Sequence, residues 1–203
     1  MTHNTLSSYE TSSPDEQHGE LRSSSLHNAH SNSGQPVTPQ NDNAYVEIST
    51  EKRPARERRI LASITIPQPI EQVWQVITDY ESLADFVPNL TSSKLIPNPE
   101  GRIRLEQIGS QCFLKFKFCA RVVIDMTENF PHELGFSLQE GDFKQFEGAW
   151  KLQPTADAQS TQLSYDLSVK PPRAMPAGLI EHHICHNLTT NMLAIRQRVL
   201  ELA

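Results

Sequence analysis

Glu181, His182, His183, Cys185 and His186 gather carboxylate, imidazole and thiol groups within about one and a half helical turns. On a helix His182 and His186, at i and i+4, share a face, a spacing able to clamp a metal ion once a third ligand comes from elsewhere. The string is not HExxH, however, and no second cluster stands at a ligand-like spacing, so solvated or hydrogen-bonded imidazoles are expected and no metal is assigned. The remaining reading is polar contact, with one of these histidines directed into a pocket to hydrogen-bond a ligand oxygen.

Acid–base catalysis needs two ionisable groups facing one another across a cavity. Glu106, Arg121, Asp125, Glu147 and Tyr165 all fall on strand-like runs, but alternation puts Arg121 and Asp125 on the polar face. Each of the five is expected to be solvated or paired across strands, and no catalytic residue is assigned. Cys112, Cys119 and Cys185 are odd in number, lack CxxC spacing and sit in apolar surroundings that raise a thiol pKa. Disulfides, structural zinc and a cysteine nucleophile are therefore not expected. There is no GxGxxG after a strand, no P-loop and no GxSxG turn, so no nucleotide or other cofactor is implied.

The elements that must position these groups begin late in the chain. Of 203 residues, 37% are hydrophobic, against about 45 to 50% for an ordinary globular domain. The deficit lies in the stretch from Met1 to about Asn43, rich in Ser, Asn, Thr, Gln, His, Gly and Pro, which cannot bury enough apolar surface to offset ordering entropy. A disordered polar tail over 1–55 and a folded domain over 56–203 are expected. The net charge of −6 and the lack of a dense basic run argue against nucleic acid as a partner. Lys52, Arg53, Arg56, Arg58 and Arg59 form a basic cluster that reads as a solvated linker, with transient contact to an anionic membrane surface as the alternative. No leader-like segment and no run of about 20 apolar residues occurs, and a cytoplasmic monomer is expected.

Within the domain, Ile60, Ala62 and Ile64 alternate as a strand closed by Pro67 and Pro69. Ile70, Val73, Trp74 and Ile77 recur with helical spacing, and a second short helix is expected over 83–86. Strands follow: Leu114 to Met126 alternates most clearly, then 134–138, 143–152 and 163–169, separated by turns rich in Pro, Gly, Asn and Asp. Past Pro176 a long helix carries an apolar ridge of Ile180, Ile184, Leu188, Ile195 and Val199, widened by Leu179, Met192 and Leu193. This order is α+β, and one long helix with two short ones covers a curved antiparallel sheet incompletely, which predicts an internal cavity.

Three stretches, "PIEQVWQVITDYESLADFVPNL" (69–90), "GDFKQFEGAWKL" (141–152) and "LSYDLSVKPP" (163–172), resemble the START-type or Bet v 1-like (SRPBCC) superfamily, and within it the polyketide cyclase/dehydrase and coenzyme-Q-binding group. The resemblance spans about 56–203. It implies a helix-grip fold, in which a curved antiparallel sheet wraps a long C-terminal helix, two short helices follow the first strand, and an apolar cavity is enclosed. In this reading Trp74 and Trp150 fill core and Gly148 permits close backbone approach.

Phe116, Phe118, Phe136, Leu138, Phe146 and Leu167 are the apolar side chains available to line the pocket, joined by Leu179. The resemblance also implies that the first half of the terminal helix lines it, which makes His183, His186 and Asn187 its polar candidates, with His182 beside them. The expected function is binding or carriage of a hydrophobic small molecule or lipid, an isoprenoid quinone among them. The alternatives are a cyclase or dehydratase acting on a polyketide-like or isoprenoid substrate, and an interaction module with a filled core. The Pro-rich segment 170–176 is expected to gate ligand access.

Overall fold

The structure is a computed structural model that describes residues 44–113 and 116–203, the side chains of 110–118 excepted. Most of the expected tail lies outside the described residues. The folded unit nevertheless starts before residue 56, because β1 (Glu47–Lys52) pairs antiparallel with β2 (Arg58–Ile66) around a short 3-10 turn at Pro54–Arg56. β1 has no local sequence signal because Ile48 is the one residue it packs against the core; as an edge strand it carries no apolar alternation. The two short helices consequently follow the second strand.

The basic cluster belongs to this hairpin and is not a linker. Arg59 grips Asp166 with two hydrogen bonds of 2.9 and 2.8 Å, and Arg58 meets Glu181 at 2.7 Å. Arg56 donates to the backbone oxygens of Arg173 and Met175, which ties the hairpin turn to the 170–176 segment.

Pro67 and Pro69 end β2, and α1 (Ile70–Thr78) then buries Ile70, Val73, Trp74, Val76 and Ile77 on one stripe. After α2 (Leu83–Phe86) the chain runs as six antiparallel strands: β3 (Leu90–Leu95), β4 (Ile103–Phe113), β5 (Phe116–Asn129), β6 (Glu133–Gly141), β7 (Gln145–Pro154) and β8 (Thr161–Lys170). Among the described residues the sheet has eight strands in the order β1-β2-β8-β7-β6-β5-β4-β3. The long helix α3 (Ala177–Glu201) packs against β2 and α1. Ile180, Leu188, Met192, Ile195 and Val199 are buried along it, each contributing about 1.5 to 3 kcal/mol. Leu179 and Leu193, expected to widen this ridge, are exposed. Among the described residues no helix is long and apolar enough to cross a membrane.

Two glycines are demanded by the backbone. Gly141 has φ +150° where the β5–β6 register shifts between Val123 and Ile124, and a Cβ there would strike the Arg121 backbone oxygen. Gly148 pairs with Phe136 on one side and Leu167 on the other; a Cβ would collide with the Asp166 backbone oxygen and stand 3.0 Å from the Phe136 ring. Gly148→Ala is expected to destabilise the protein by about 2 to 3 kcal/mol, through displaced backbone and overpacking, as read by urea denaturation.

Candidate functional site

The sheet's inward positions face α3 across a cavity of about 270 Å³. Period-two alternation brings Ala120, Val122, Ile124 and Met126 of β5 to its wall, with Leu134 and Phe136 from β6 beside them. Phe146 and Trp150 come from β7, and Tyr165 and Leu167 from β8. Register explains the aromatic cluster. Trp150 lies opposite Tyr165, with ring centroids 4.3 Å apart, and the missing side chain at Gly148 lets Phe136 stack on Tyr165 at 5.5 Å. Phe146 meets Phe136 at 5.6 Å and Phe143 at 5.5 Å. From the other side α3 contributes Ile180, His183, Ile184, Asn187, Leu188, Asn191 and Ile195.

Of the expected pocket residues, Phe136, Phe146, Leu167, His183 and Asn187 stand at the cavity. Phe116 and Phe118 fall on β5, but their side chains lie outside the described residues. Leu138 is half-buried against the core beside the β5–β6 register shift and is not a wall. Leu179 and His186 are exposed and do not reach the cavity. Helical rotation of about 100° per residue accounts for both. The cavity-facing arc centres between Ile184 and Asn191, with His183 at its edge, and Leu179 and His186 fall roughly 40 to 60° farther out.

Several walls went unassigned. Trp150, expected as core filler, lines the cavity, as do Tyr80, Asn89, Gln107, Tyr165 and Asn191. A signal for Asn191 existed, since it continues the four-residue spacing of His183 and Asn187, while the phase of Tyr165 with Leu163 and Leu167 marks it only as inward-facing. Asn89 and Gln107 depend on tertiary placement and carry no local mark.

The electrostatics separate wall from exterior. Among the described residues no Asp, Glu, Lys or Arg lines the cavity. The charges sit elsewhere, several of them in cross-strand pairs. Arg104 holds Asp125 through contacts of 2.5 and 2.9 Å, while Arg121 meets Glu106 at 2.6 Å and Glu140 at 2.7 Å. Asp125 is buried rather than solvated, and the Arg104 guanidinium holds its carboxyl below the usual carboxylate range. At the wall, Asn89 Nδ2 donates to Asn191 Oδ1 (3.2 Å), Gln107 Nε2 donates to Ser93 Oγ (3.2 Å), and the Tyr80 hydroxyl donates to Glu128 Oε1 (2.5 Å). Burial, reinforced by Glu128, pushes the Tyr80 phenol up; burial alone does so for Tyr165.

The Glu181–His186 cluster is dispersed by its helix. His182 and His186 point outward, His183 is buried inward, and Cys185 is half-buried. Burial opposes ionisation of Glu181, but hydrogen bonds from Thr50 (2.9 Å) and Arg58 (2.7 Å) hold its carboxyl below the ordinary value. Among the described residues no group of three or more His, Cys, Asp or Glu side chains is placed to hold a metal ion.

Burial, then the neighbouring His182 and His186, lowers the His183 pKa below 6.5, so the imidazole is neutral at pH 7. The unfolded chain then takes up this proton before the folded one, and stability is lost as pH falls from about 6.5 toward the folded value. A thermal denaturation series between pH 7 and 5 is expected to show a shallower decline in His183→Leu than in the unaltered protein.

Comparison with known proteins agrees with this geometry. The family described as polyketide cyclase / dehydrase and lipid transport matches residues 66–194. A START superfamily protein from Mycobacterium smegmatis superposes with a TM-score of 0.61 at 18% identity, covering 71% of this chain and 99% of its own. The ZhuI aromatase/cyclase of a Streptomyces species gives a TM-score of 0.58 at 16% identity, covering 70% and 93%. The persistence and stress-resistance toxin PasT of Escherichia coli strain CFT073 is 27% identical over 96 residues; this match takes in 47% of the present chain and spans 58% of the length of PasT.

Proposed function

This chain belongs to the polyketide cyclase / dehydrase and lipid transport family, and from its cavity we propose that it binds and carries a hydrophobic small molecule or lipid, an isoprenoid quinone being one ligand of that chemistry. The observation that carries the reading is the largely apolar cavity of about 270 Å³ between α3 and the sheet, which no Asp, Glu, Lys or Arg lines among the described residues. Side chains that could have filled this space are held apart from it, since α3 rests on β2 and α1 while the wall residues of β5 and β6 face open volume.

The energetics suit carriage. A ligand burying on the order of 200 Å² of apolar surface gains about 5 kcal/mol before the cost of immobilisation, with no charge to desolvate. Acid–base turnover is less well supported. The titratable walls among the described residues are His183, Tyr80 and Tyr165, and burial favours the neutral form of each. A cyclase or dehydratase would need a converging acid and base, and no such pair of carboxylates or lysines lines this wall among the described residues.

Native mass spectrometry with lipid extraction, on protein purified from its own host, tests the proposal. A lipid or isoprenoid at near-stoichiometric amount is expected, and Ile184→Trp, which fills the cavity from α3, is expected to lose it while keeping its circular dichroism spectrum. Protein that emerges empty, and that takes up no apolar probe on titration, would overturn the reading.

A further inference from the structure

Tyr165 lies on the core-facing side of β8 between Leu163 and Leu167 and is 9% exposed. Its ring stacks on Phe136 with an interplanar angle of 15° and tilts against Trp150, and both neighbours are cavity walls. Among the described residues, nothing hydrogen-bonds the Tyr165 hydroxyl. The hydroxyl itself is not fully enclosed by protein, so a guest can reach it, and with no protein partner for the oxygen a phenylalanine would pack the same space equally well. The other polar walls differ in this respect: Tyr80 is satisfied by Glu128, Gln107 by Ser93, and Asn89 by Asn191.

We propose that Tyr165 is the specificity-determining group of the cavity, its hydroxyl hydrogen-bonding an oxygen of a small ring-bearing ligand whose ring packs against the Phe136 and Trp150 side of the wall. The inference rests on the ligand-binding reading above and narrows it. A hydroxyl- or carbonyl-bearing ring compound is selected over the bare hydrocarbon of the same shape, because only the former completes the phenol's hydrogen bond. The volume, just below the roughly 300 to 1,000 Å³ of pockets for drug-sized molecules, suits one or two rings. Burial keeps the phenol protonated, so it remains both donor and acceptor at neutral pH. On the helix side His183, Asn187 and Asn191 line the same cavity at intervals of four residues.

The test uses the full chain, stripped of bound lipid, titrated with naphthalene and with 2-naphthol, which differ by one hydroxyl. Binding is read from the probes' own fluorescence. The unaltered protein is expected to prefer 2-naphthol by about tenfold, the worth of one well-made buried hydrogen bond. Tyr165→Phe is expected to lose that preference, to keep its naphthalene affinity, and to melt no lower than the unaltered protein when ligand is absent.

Equal affinity of the unaltered protein for the two probes would overturn this inference and leave the cavity-binding reading standing. A preference that survives in Tyr165→Phe would place the ligand oxygen elsewhere and overturn it too. A Tyr165→Phe protein that melts lower would mean the hydroxyl has a structural role, with the same consequence. Binding of neither probe to the unaltered protein would remove both this inference and the reading on which it rests.

Discussion

One long helix has to cover the apolar face of a sheet much wider than itself, and most of the architecture follows from that mismatch. Eight strands at about 4.8 Å spacing make a surface some 35 to 40 Å across, whereas a helix with its side chains is about 10 to 12 Å in diameter. α3 settles on β2 and against α1, and the short helices extend the cover a little. α1 also touches β7, but inward apolar side chains of β5, β6 and β7 line the cavity across from α3. Close packing cannot be completed there, and the residual space is the cavity.

Position on the sheet then decides what the cavity can hold. Gly148 lets β7 and β8 approach and frees room for the Phe136 ring, so one backbone requirement shapes the aromatic wall. The β1–β2 hairpin acts at the other side. Thr50 and Arg58 hold Glu181 in the first turns of α3, and Arg56 holds the segment leading into it. Exposed ion pairs stabilise little, but the Arg58–Glu181 pair is partly buried, and together these contacts fix where the helix begins, and with it which of its residues look inward. Among the described residues no charged side chain lines the cavity, and cross-strand pairs such as Arg104–Asp125 and Arg121–Glu106 take up several strand charges, which suits the wall to an apolar guest with a few hydrogen-bonding groups.

Much of this was legible in the residues before any coordinates. Alternation in β2, β5, β6 and β8, the helical stripe of α1 and the ridge after Pro176 are local patterns, because burial on one face imposes period two on strands and about 3.6 on helices. They determined the α+β class, the element order from β2 onward and the expectation of a cavity, and the stretches at 69–90, 141–152 and 163–172 pointed to the family. They also delivered Phe136, Phe146, Leu167, His183 and Asn187 as walls.

Tertiary structure decided the rest. β1 is held by pairing with β2, a long-range interaction that leaves no apolar mark on an edge strand. His186 and Leu179 sit within a turn of true wall residues, yet the rotation of α3 against the sheet turns them outward, and that rotation is set by contacts distant in sequence. Trp150 and Tyr165 are apolar-phase residues on strands, indistinguishable in pattern from core; only the gap between helix and sheet makes them walls. The sequence by itself determines which side chains share a face of a strand or helix, since that periodicity is a property of each element alone. Whether an inward side chain meets another or meets space depends on how separate elements stack, and the three-dimensional packing alone supplies that answer.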